Sequence, residues 1–308
     1  MISLELKWYV WFKWTNKEAR MTISRVVLIT GCSSGIGKAT ALRLAAAGWT
    51  VYATARKRTE LAALEAAGCR TLALDVTSLS SMTEAVRAIE AEHGAVGVLI
   101  NNAGYSQSGA FEAVPIERVR AQFETNVYGP VQLAQLVLPK MRAQRWGRII
   151  NLSSMGGKLV FPGGGYYHAT KYAMEALSDA LRFEVRGFGI KVVLIQPGLI
   201  KSGFSEAAVS SMQLRSEVGA TYDAFHAAVA RATKDSYETG PLARLSGNPD
   251  DVAKVVARAL AAKSPKARYR VTLSATVLLG QRRWSSDRMW DWLMRQSFPS
   301  PSPTPSNA

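Results

Sequence analysis

Three side chains in this sequence could together move a proton on and off an alcohol oxygen: Ser154, Tyr167 and, four residues on, Lys171. A tyrosine phenol ordinarily titrates near 10 and is a poor base at neutral pH. Bringing it near 7 takes about 4 kcal/mol of differential stabilisation. A lysine one helical turn away is placed to supply it, because residues i and i+4 share a helix face. A serine hydroxyl from a neighbouring loop can hold the substrate oxygen beside the phenol. Tyr-x-x-x-Lys by itself is common on surface helices, so its meaning depends on the elements that surround it.

Those elements alternate. Short apolar, β-branched runs occur at Arg25–Thr30, Thr50–Ala53, Arg70–Leu74, Gly97–Asn101, Gly147–Leu152, Lys191–Gln196 and Tyr269–Leu273. Between them lie Ala/Leu-rich amphipathic stretches at Gly37–Ala47, Thr59–Ala67, Ser80–Glu92, Ile116–Arg142, Tyr167–Gly187 and Pro249–Ala262. This pattern predicts βαβ units and a parallel sheet. Val98-Leu99-Ile100 and the run from Val192 to Ile195 are apolar on both faces, as central strands are. The fold class expected is α/β: a doubly wound, seven-stranded parallel sheet of Rossmann type in one domain, residues 22–280. Residues 1–21 read as an N-terminal extension, Leu199–Leu245 as a loop or helical flap, 281–298 as an amphipathic helix, and the Pro/Ser-rich 299–308 as a disordered tail. That helix is expected to align Met289, Trp292, Leu293 and Gln296 on one stripe. It would cover the substrate pocket or pack on a second subunit rather than lie on a membrane.

The first strand runs into Thr30-Gly31-Cys32-Ser33-Ser34-Gly35-Ile36-Gly37 and then a helix. Glycines here let the backbone approach a pyrophosphate, and the helix N-terminus offers free N–H groups. The spacing Gly-x-x-x-Gly-x-Gly differs from that of the P-loop and from Gly-x-Gly-x-x-Gly. With Asn101-Asn102-Ala103-Gly104, Asn126, Ser154, Tyr167-x-x-x-Lys171 and Pro197-Gly198 in the same order, the chain resembles the single-domain branch of the short-chain dehydrogenase/reductase family, hydroxysteroid and retinol dehydrogenase-like members included. The match covers about residues 22–205, and more loosely extends to about 275.

The resemblance implies a role for each matching residue. Tyr167 would be the general acid/base, and Ser154 would bind the same substrate oxygen. Lys171 would hold the nicotinamide ribose and lower the phenol's pKa. Asn126 would hold a water relaying protons from Lys171. Gly31, Ser33, Ser34, Gly35, Ile36 and Gly37 would cradle the phosphates. Asp75 and Val76 would contact the adenine, with Asp75 equally readable as a turn residue. Asn102, Ala103 and Gly104 would line the adenine ribose side, and Pro197, Gly198, Ile200 and Ser202 the nicotinamide. The family usually has threonine where Ser202 stands; serine keeps the donor. Tyr166 is set aside because Thr170 stands four residues on, and Ser153 because only Ser154 has the family's spacing to the tyrosine.

Cofactor choice has its own physical argument. An NAD enzyme places a carboxylate at the end of the second strand, on the ribose 2′-hydroxyl. Here Ala55 occupies that end and Arg56 follows, which favours a 2′-phosphate and hence NADP(H) over NAD(H) by roughly ten- to a hundredfold. The apolar Leu159-Val160-Phe161-Pro162, with Phe204, Met212, Leu214 and Phe225 in the flap, suggests an uncharged lipophilic alcohol, ketone or aldehyde as substrate.

The chain has 308 residues and a formal charge of +15. Basic residues and tryptophans gather at its ends, Trp8, Trp11 and Trp14 at one and Trp284, Trp290 and Trp292 at the other. A nucleic-acid platform would interleave basic and stacking residues more regularly, so no nucleic-acid partner is expected. Two cysteines and three histidines give no disulfide framework and no metal site, and reducing cytoplasm is the expected compartment. The family resemblance implies a homodimer or homotetramer built on Ile116–Arg142 and Tyr167–Gly187. The alternative function is a non-catalytic dinucleotide sensor, which typically loses the tyrosine or the lysine. Both are present.

Overall fold

The computed structural model describes residues 23–212 and 219–298. The expected N-terminal extension, the Pro/Ser-rich tail and Leu214 lie outside the described residues. Seven parallel strands form one sheet: β1 (Val27–Ile29), β2 (Val51–Ala55), β3 (Arg70–Ala73), β4 (Val98–Asn101), β5 (Gly147–Leu152), β6 (Ile190–Pro197) and β7 (Arg268–Val271). Their order across the sheet is β3-β2-β1-β4-β5-β6-β7. The chain leaves β1 towards β2 on one side and returns with β4 on the other. A crevice therefore opens beyond the C-terminal ends of β1 and β4, where open α/β sheets bind ligands.

Helices cover both faces. On one side lie α1 (Gly35–Ala46), the short α2 (Ala62–Ala66) and, further along the chain, α9 (Pro249–Ala261). On the other are α3 (Leu79–His93), α4 (Ile116–Phe123), α5 (Gly129–Ala143) and α6 (Gly165–Val185). The two-residue period of a strand divides the core. Val27 and Ile29 pack with Leu44, Val252 and Val256, while Leu28 turns the opposite way onto Met82, Val86 and Val137. Each such side chain, fully removed from water, stabilises the fold by roughly 1.5–3 kcal/mol.

All seven predicted strands are present, with ends moved by a few residues, and two helical expectations change, while the flap takes the helical of its two expected forms. The single helix expected over Ile116–Arg142 is interrupted by a π-helical turn at Glu124–Tyr128. Pro130 lacks the N–H that would close on the Asn126 carbonyl in an α-helix, and Gly129 passes so close to Val76 that a Cβ would lie 2.4 Å from its carbonyl oxygen. The flap is largely helical, with α7 (Phe204–Ser210) and α8 (Gly219–Tyr237). Finally, the last strand stops at Val271, because Thr272 turns to φ 84° and its side chain accepts from Ala275 N. Leu273, expected in the strand, begins α10 (Leu273–Trp284), which the sequence reading missed, and α11 (Asp287–Ser297) follows. Among the described residues no helix is long and apolar enough to cross a membrane.

Gly37 shows how tightly the first βα turn is built. A Cβ there would sit 2.2 Å from the Gly31 carbonyl oxygen and 2.5 Å from Asn102 Nδ2. Gly37→Ala should therefore destabilise by about 1–3 kcal/mol, despite alanine's better helix propensity. The expected result is a lower thermal midpoint together with loss of dinucleotide affinity; an unchanged midpoint would contradict this packing.

Candidate active site

A single cavity of about 1380 Å³ runs from the turn after β1 to the last two helices. The end at that turn is made by Gly31, Ser33, Ser34, Gly35 and Ile36. Gly31 has φ +70°, and a Cβ there would lie 2.8 Å from Ala103 Cα. Ser34 caps α1 in extended conformation without using its side chain, and the first turn holds no acidic residue. An anion can thus meet free hydroxyls and N–H groups without repulsion. These residues fit a dinucleotide phosphate. Gly37 is buried and does not line the cavity, so its part is to bring α1 close to the turn.

The neighbouring strand end is stitched to this turn. Asn102 Nδ2 donates to the carbonyls of Thr30 and Gly31, both at 2.9 Å, and Thr30 Oγ1 accepts from the N–H groups of Asn102 and Ala103 at 3.1 and 3.0 Å. Ala103, Gly104, Asp75 and Val76 complete the wall. Asp75 also closes a turn, accepting from Thr77 N at 2.9 Å and Thr77 Oγ1 at 2.7 Å, as its reading as a turn residue expects. Arg56 is exposed at the cavity edge beside Ala55 and forms no ion pair among the described residues. Glu60 lines the same edge, a carboxylate the sequence reading did not single out. Pro197, Gly198, Ile200 and Ser202 close the opposite side, and Ser202 reaches the turn itself: a Cβ on Gly35 would lie 3.9 Å from Ser202 Cβ.

Ser154, Tyr167 and Lys171 meet at the middle. Ser154 stands at the end of β5, where its Oγ accepts from Gly156 N at 3.0 Å. Tyr167 lies in the first turn of α6, and Lys171 Nζ sits 5.7 Å from the centroid of its ring. Lys171 is 7% exposed and donates to the Leu152 carbonyl at 2.8 Å. Asn126 is buried in the π-helical turn. Its Oδ1 accepts from Tyr105 N at 3.1 Å, and its Nδ2 donates to Tyr105 O at 2.9 Å and Thr170 Oγ1 at 3.1 Å. Its side chain does not line the cavity, although a Cβ on Gly104 would meet both Asn126 Oδ1 (3.0 Å) and Lys171 Nζ (3.8 Å).

The electrostatics differ from expectation at one point. Burial pushes the Tyr167 phenol up to about 12, against a hydrogen bond with Ser154 that lowers it. Burial brings Lys171 down to about 8, opposed by the Glu175 carboxylate. Desolvation outweighs the Ser154 hydrogen bond, so the phenol stays protonated. The expectation that the amine alone would draw it down from 10 is corrected accordingly. His168 is buried and its imidazole is lowered by that burial, with a hydrogen bond to Gly156 opposing. Its Nε2 accepts from Phe161 N at 3.2 Å, so its Nδ1, 3.0 Å from Gly156 O, carries the proton. The neutral ring ties the Ser154 loop to the substrate wall.

Beyond Tyr167 the cavity is a lid of helices. Phe204 stacks obliquely on Tyr167 at 5.3 Å, and Phe161 lies 6.2 Å from Trp290. Leu199, Leu278, Trp290, Leu293, Met294 and Phe298 make the far wall apolar. The C-terminal helix covers the pocket, but on a different stripe from that expected. Ser286 caps it by accepting from Met289 N, which turns Trp290, Leu293 and Met294 inward and leaves Met289 and Trp292 51% and 57% exposed. Within the predicted apolar lining, Phe161, Pro162 and Phe204 face the cavity. Leu159 is core, Val160 is exposed, Met212 is buried and Phe225 packs on Tyr222 and His226. The flap also brings Arg231, Asp235 and Tyr237 to the cavity, which its sequence did not reveal.

The short chain dehydrogenase family matches residues 25–213. The chain is similar to the 3-ketodihydrosphingosine reductase of Bacteroides thetaiotaomicron, with 37% identity over 273 residues covering 88% of this chain and 97% of the relative. It is similar to the NADPH-dependent 3-dehydrocapnine reductase of Ornithobacterium rhinotracheale, with 34% identity over 277 residues covering 87% and 95%. Among solved structures it is similar to a metagenomic short-chain oxidoreductase in complex with NADP. That match has 28% identity and a TM-score of 0.62 and covers 81% of this chain and 98% of the other.

Lys171 generates a stability prediction. Its folded pKa of about 8 lies below its ordinary 10.5, so the unfolded chain holds this proton more tightly. The resulting penalty is fully present below pH 8 and fades as pH rises towards 10.5. Lys171→Met should therefore raise stability near neutral pH by up to about 3 kcal/mol. The gain should shrink between pH 8 and pH 10, which thermal midpoints at the two pH values would read.

Proposed function

The chain belongs to the short-chain dehydrogenase family and is an oxidoreductase acting on CH–OH and keto groups; from that premise we propose that it is an NADPH-dependent reductase of lipophilic, long-chain ketones in which Tyr167 is the general acid. The observation that carries this reading is a protonated phenol midway along one cavity, with a phosphate cradle at one end and an apolar lid at the other. NADPH, when bound, supplies a hydride. Ser33, Ser34 and the N–H groups opening α1 would hold its phosphates, Arg56 the 2′-phosphate, and Lys171 the nicotinamide ribose. Pro197, Gly198, Ile200 and Ser202 would hold the carboxamide.

The protein's own work is on the carbonyl oxygen. Ser154 Oγ donates a hydrogen bond to it, and Tyr167 Oη delivers the proton as negative charge develops there. A phenol held near 12 carries its proton at neutral pH, the form a general acid needs. Reduction as the direction is supported by the two relatives described above, which bear the name reductase. Lys171 follows with charge from behind the phenol, and Asn126 fixes the Gly104–Tyr105 turn against it. The lid of Trp290, Leu293, Met294 and Phe298 gives an alkyl chain a surface that excludes water, while Arg231 and Asp235 suit a polar group on the same substrate.

The test is turnover of a panel of 3-keto compounds of increasing chain length, followed by NADPH absorbance. The activity kcat/KM should rise with chain length. NADPH should be preferred to NADH by roughly ten- to a hundredfold, a preference that Arg56→Ala removes. Tyr167→Phe should lower kcat by about 10²–10⁴-fold and leave the NADPH Kd near wild type. Equal use of the two cofactors would overturn the assignment of Arg56, and near-wild-type turnover by Tyr167→Phe would overturn that of the acid.

A further inference from the structure

One buried carboxylate lies behind the site and touches none of the reacting groups. Glu175 is 2% exposed and stands one turn beyond Lys171 on α6, two turns beyond Tyr167. Its Oε1 accepts from Ser153 Oγ at 2.6 Å and Gln196 Nε2 at 2.9 Å. Its Oε2 accepts from Arg268 Nε at 2.8 Å, with Lys158 Nζ at 3.6 Å. These partners come from separate segments, two of them adjoining the site: Ser153 precedes Ser154, Gln196 precedes Pro197, and Arg268 opens β7. Gly157 closes the packing, since a Cβ there would lie 2.9 Å from both Glu175 Cγ and Ser153 Oγ and 3.0 Å from the Lys171 carbonyl.

We propose that Glu175 is a positioning residue for the reaction: it locks the Ser154 loop, the α6 turn bearing Tyr167 and Lys171, and the Pro197–Ser202 segment into one arrangement, and serves as the countercharge of Lys171. The inference rests on the functional reading given above. Stability alone explains such a group poorly, because buried ion pairs are commonly no better than well-packed apolar side chains. The i,i+4 spacing keeps the carboxylate on the lysine's face of the helix. Among the described residues it is the opposing charge that holds Lys171 up against burial. The other charged groups facing Glu175 are Lys158 and Arg268, and Asp179 shares Arg268 at 2.6 Å while pairing with Arg182. Facing Lys171 are Glu175 and the Tyr167 phenol.

The experiment compares wild type, Glu175→Gln and Glu175→Asp by NADPH fluorescence titration across pH, by kcat and by thermal midpoint. In wild type, NADPH affinity should fall on the alkaline side as Lys171 loses its proton. Glu175→Gln should move that midpoint down by about one pH unit. It should also lower kcat by about ten- to a hundredfold while the protein remains folded. Glu175→Asp, which keeps the charge, should return the midpoint to its wild-type position. A folded Glu175→Gln with an unmoved midpoint, or a kcat loss that tracks unfolding, overturns the proposal. If Glu175→Gln does not accumulate as soluble protein, Arg268→Gln decides instead. It removes a competing partner of the same carboxylate and should move the midpoint up; no movement, or a downward one, overturns the proposal. The cofactor titration needs no substrate, so failure of the proposed reaction would appear separately, as absence of turnover by wild type.

Discussion

The arrangement of this protein depends on a lysine ammonium and a tyrosine phenol sharing one turn of helix in a place from which water is largely excluded. Neither group belongs there on solvation grounds. Burial drives the phenol up to about 12 and the amine down to about 8, so each is pressed towards its uncharged form. What keeps them useful is a surrounding set of hydrogen bonds: the Leu152 carbonyl on the amine, Ser154 on the phenol, and the Glu175 carboxylate one turn along. Low dielectric strengthens all of these interactions. In the proposed mechanism, the same exclusion of water would make proton delivery to a carbonyl oxygen effective once substrate and cofactor fill the cavity.

The sheet makes this possible by separating rigid parts from variable ones. Strand ends carry Gly31, Asn102, Ser154 and Pro197, fixed by parallel ladders and by close approaches that admit only glycine. The lid is assembled from α7, α8, α10 and α11; α10 and α11 rest on a satellite cluster around Trp290 and Leu199. The end proposed to hold the cofactor is therefore specified by backbone geometry, and the end proposed for the substrate by side chains on helices that can change without disturbing the sheet.

What the sequence reveals follows the same division. The strands were legible because short apolar, β-branched runs alternating with Ala/Leu-rich amphipathic stretches have few other solutions, and Gly31, Gly35 and Tyr167-x-x-x-Lys171 were legible because their chemistry demands fixed spacing. The π-helical turn was hidden, since its cause is a proline at 130 acting on a carbonyl at 126 together with the tertiary contact of Gly129 on Val76. Glu175 lies on the visible stripe from Tyr167 through Lys171, yet its partners Ser153, Gln196 and Arg268 are far apart in sequence and no local pattern joins them. The phase of the last helix failed for another reason. The helix is amphipathic, but Trp290 and Trp292 lie about 200° apart around it, and only the packing of Trp290 on Phe161 shows which of them turns inward. The direction of the phenol's shift was likewise beyond sequence, because spacing places a charge but does not measure burial.

The most direct test of the central claim is a pH titration of Tyr167 itself, followed by NMR through a label at the phenolic carbon of that residue in the ligand-free enzyme. A phenol that remains protonated past pH 10, with its transition near 12, is the result this account predicts. A phenolate already present near neutral pH would contradict it, and would mean that the lysine, rather than burial, governs the group.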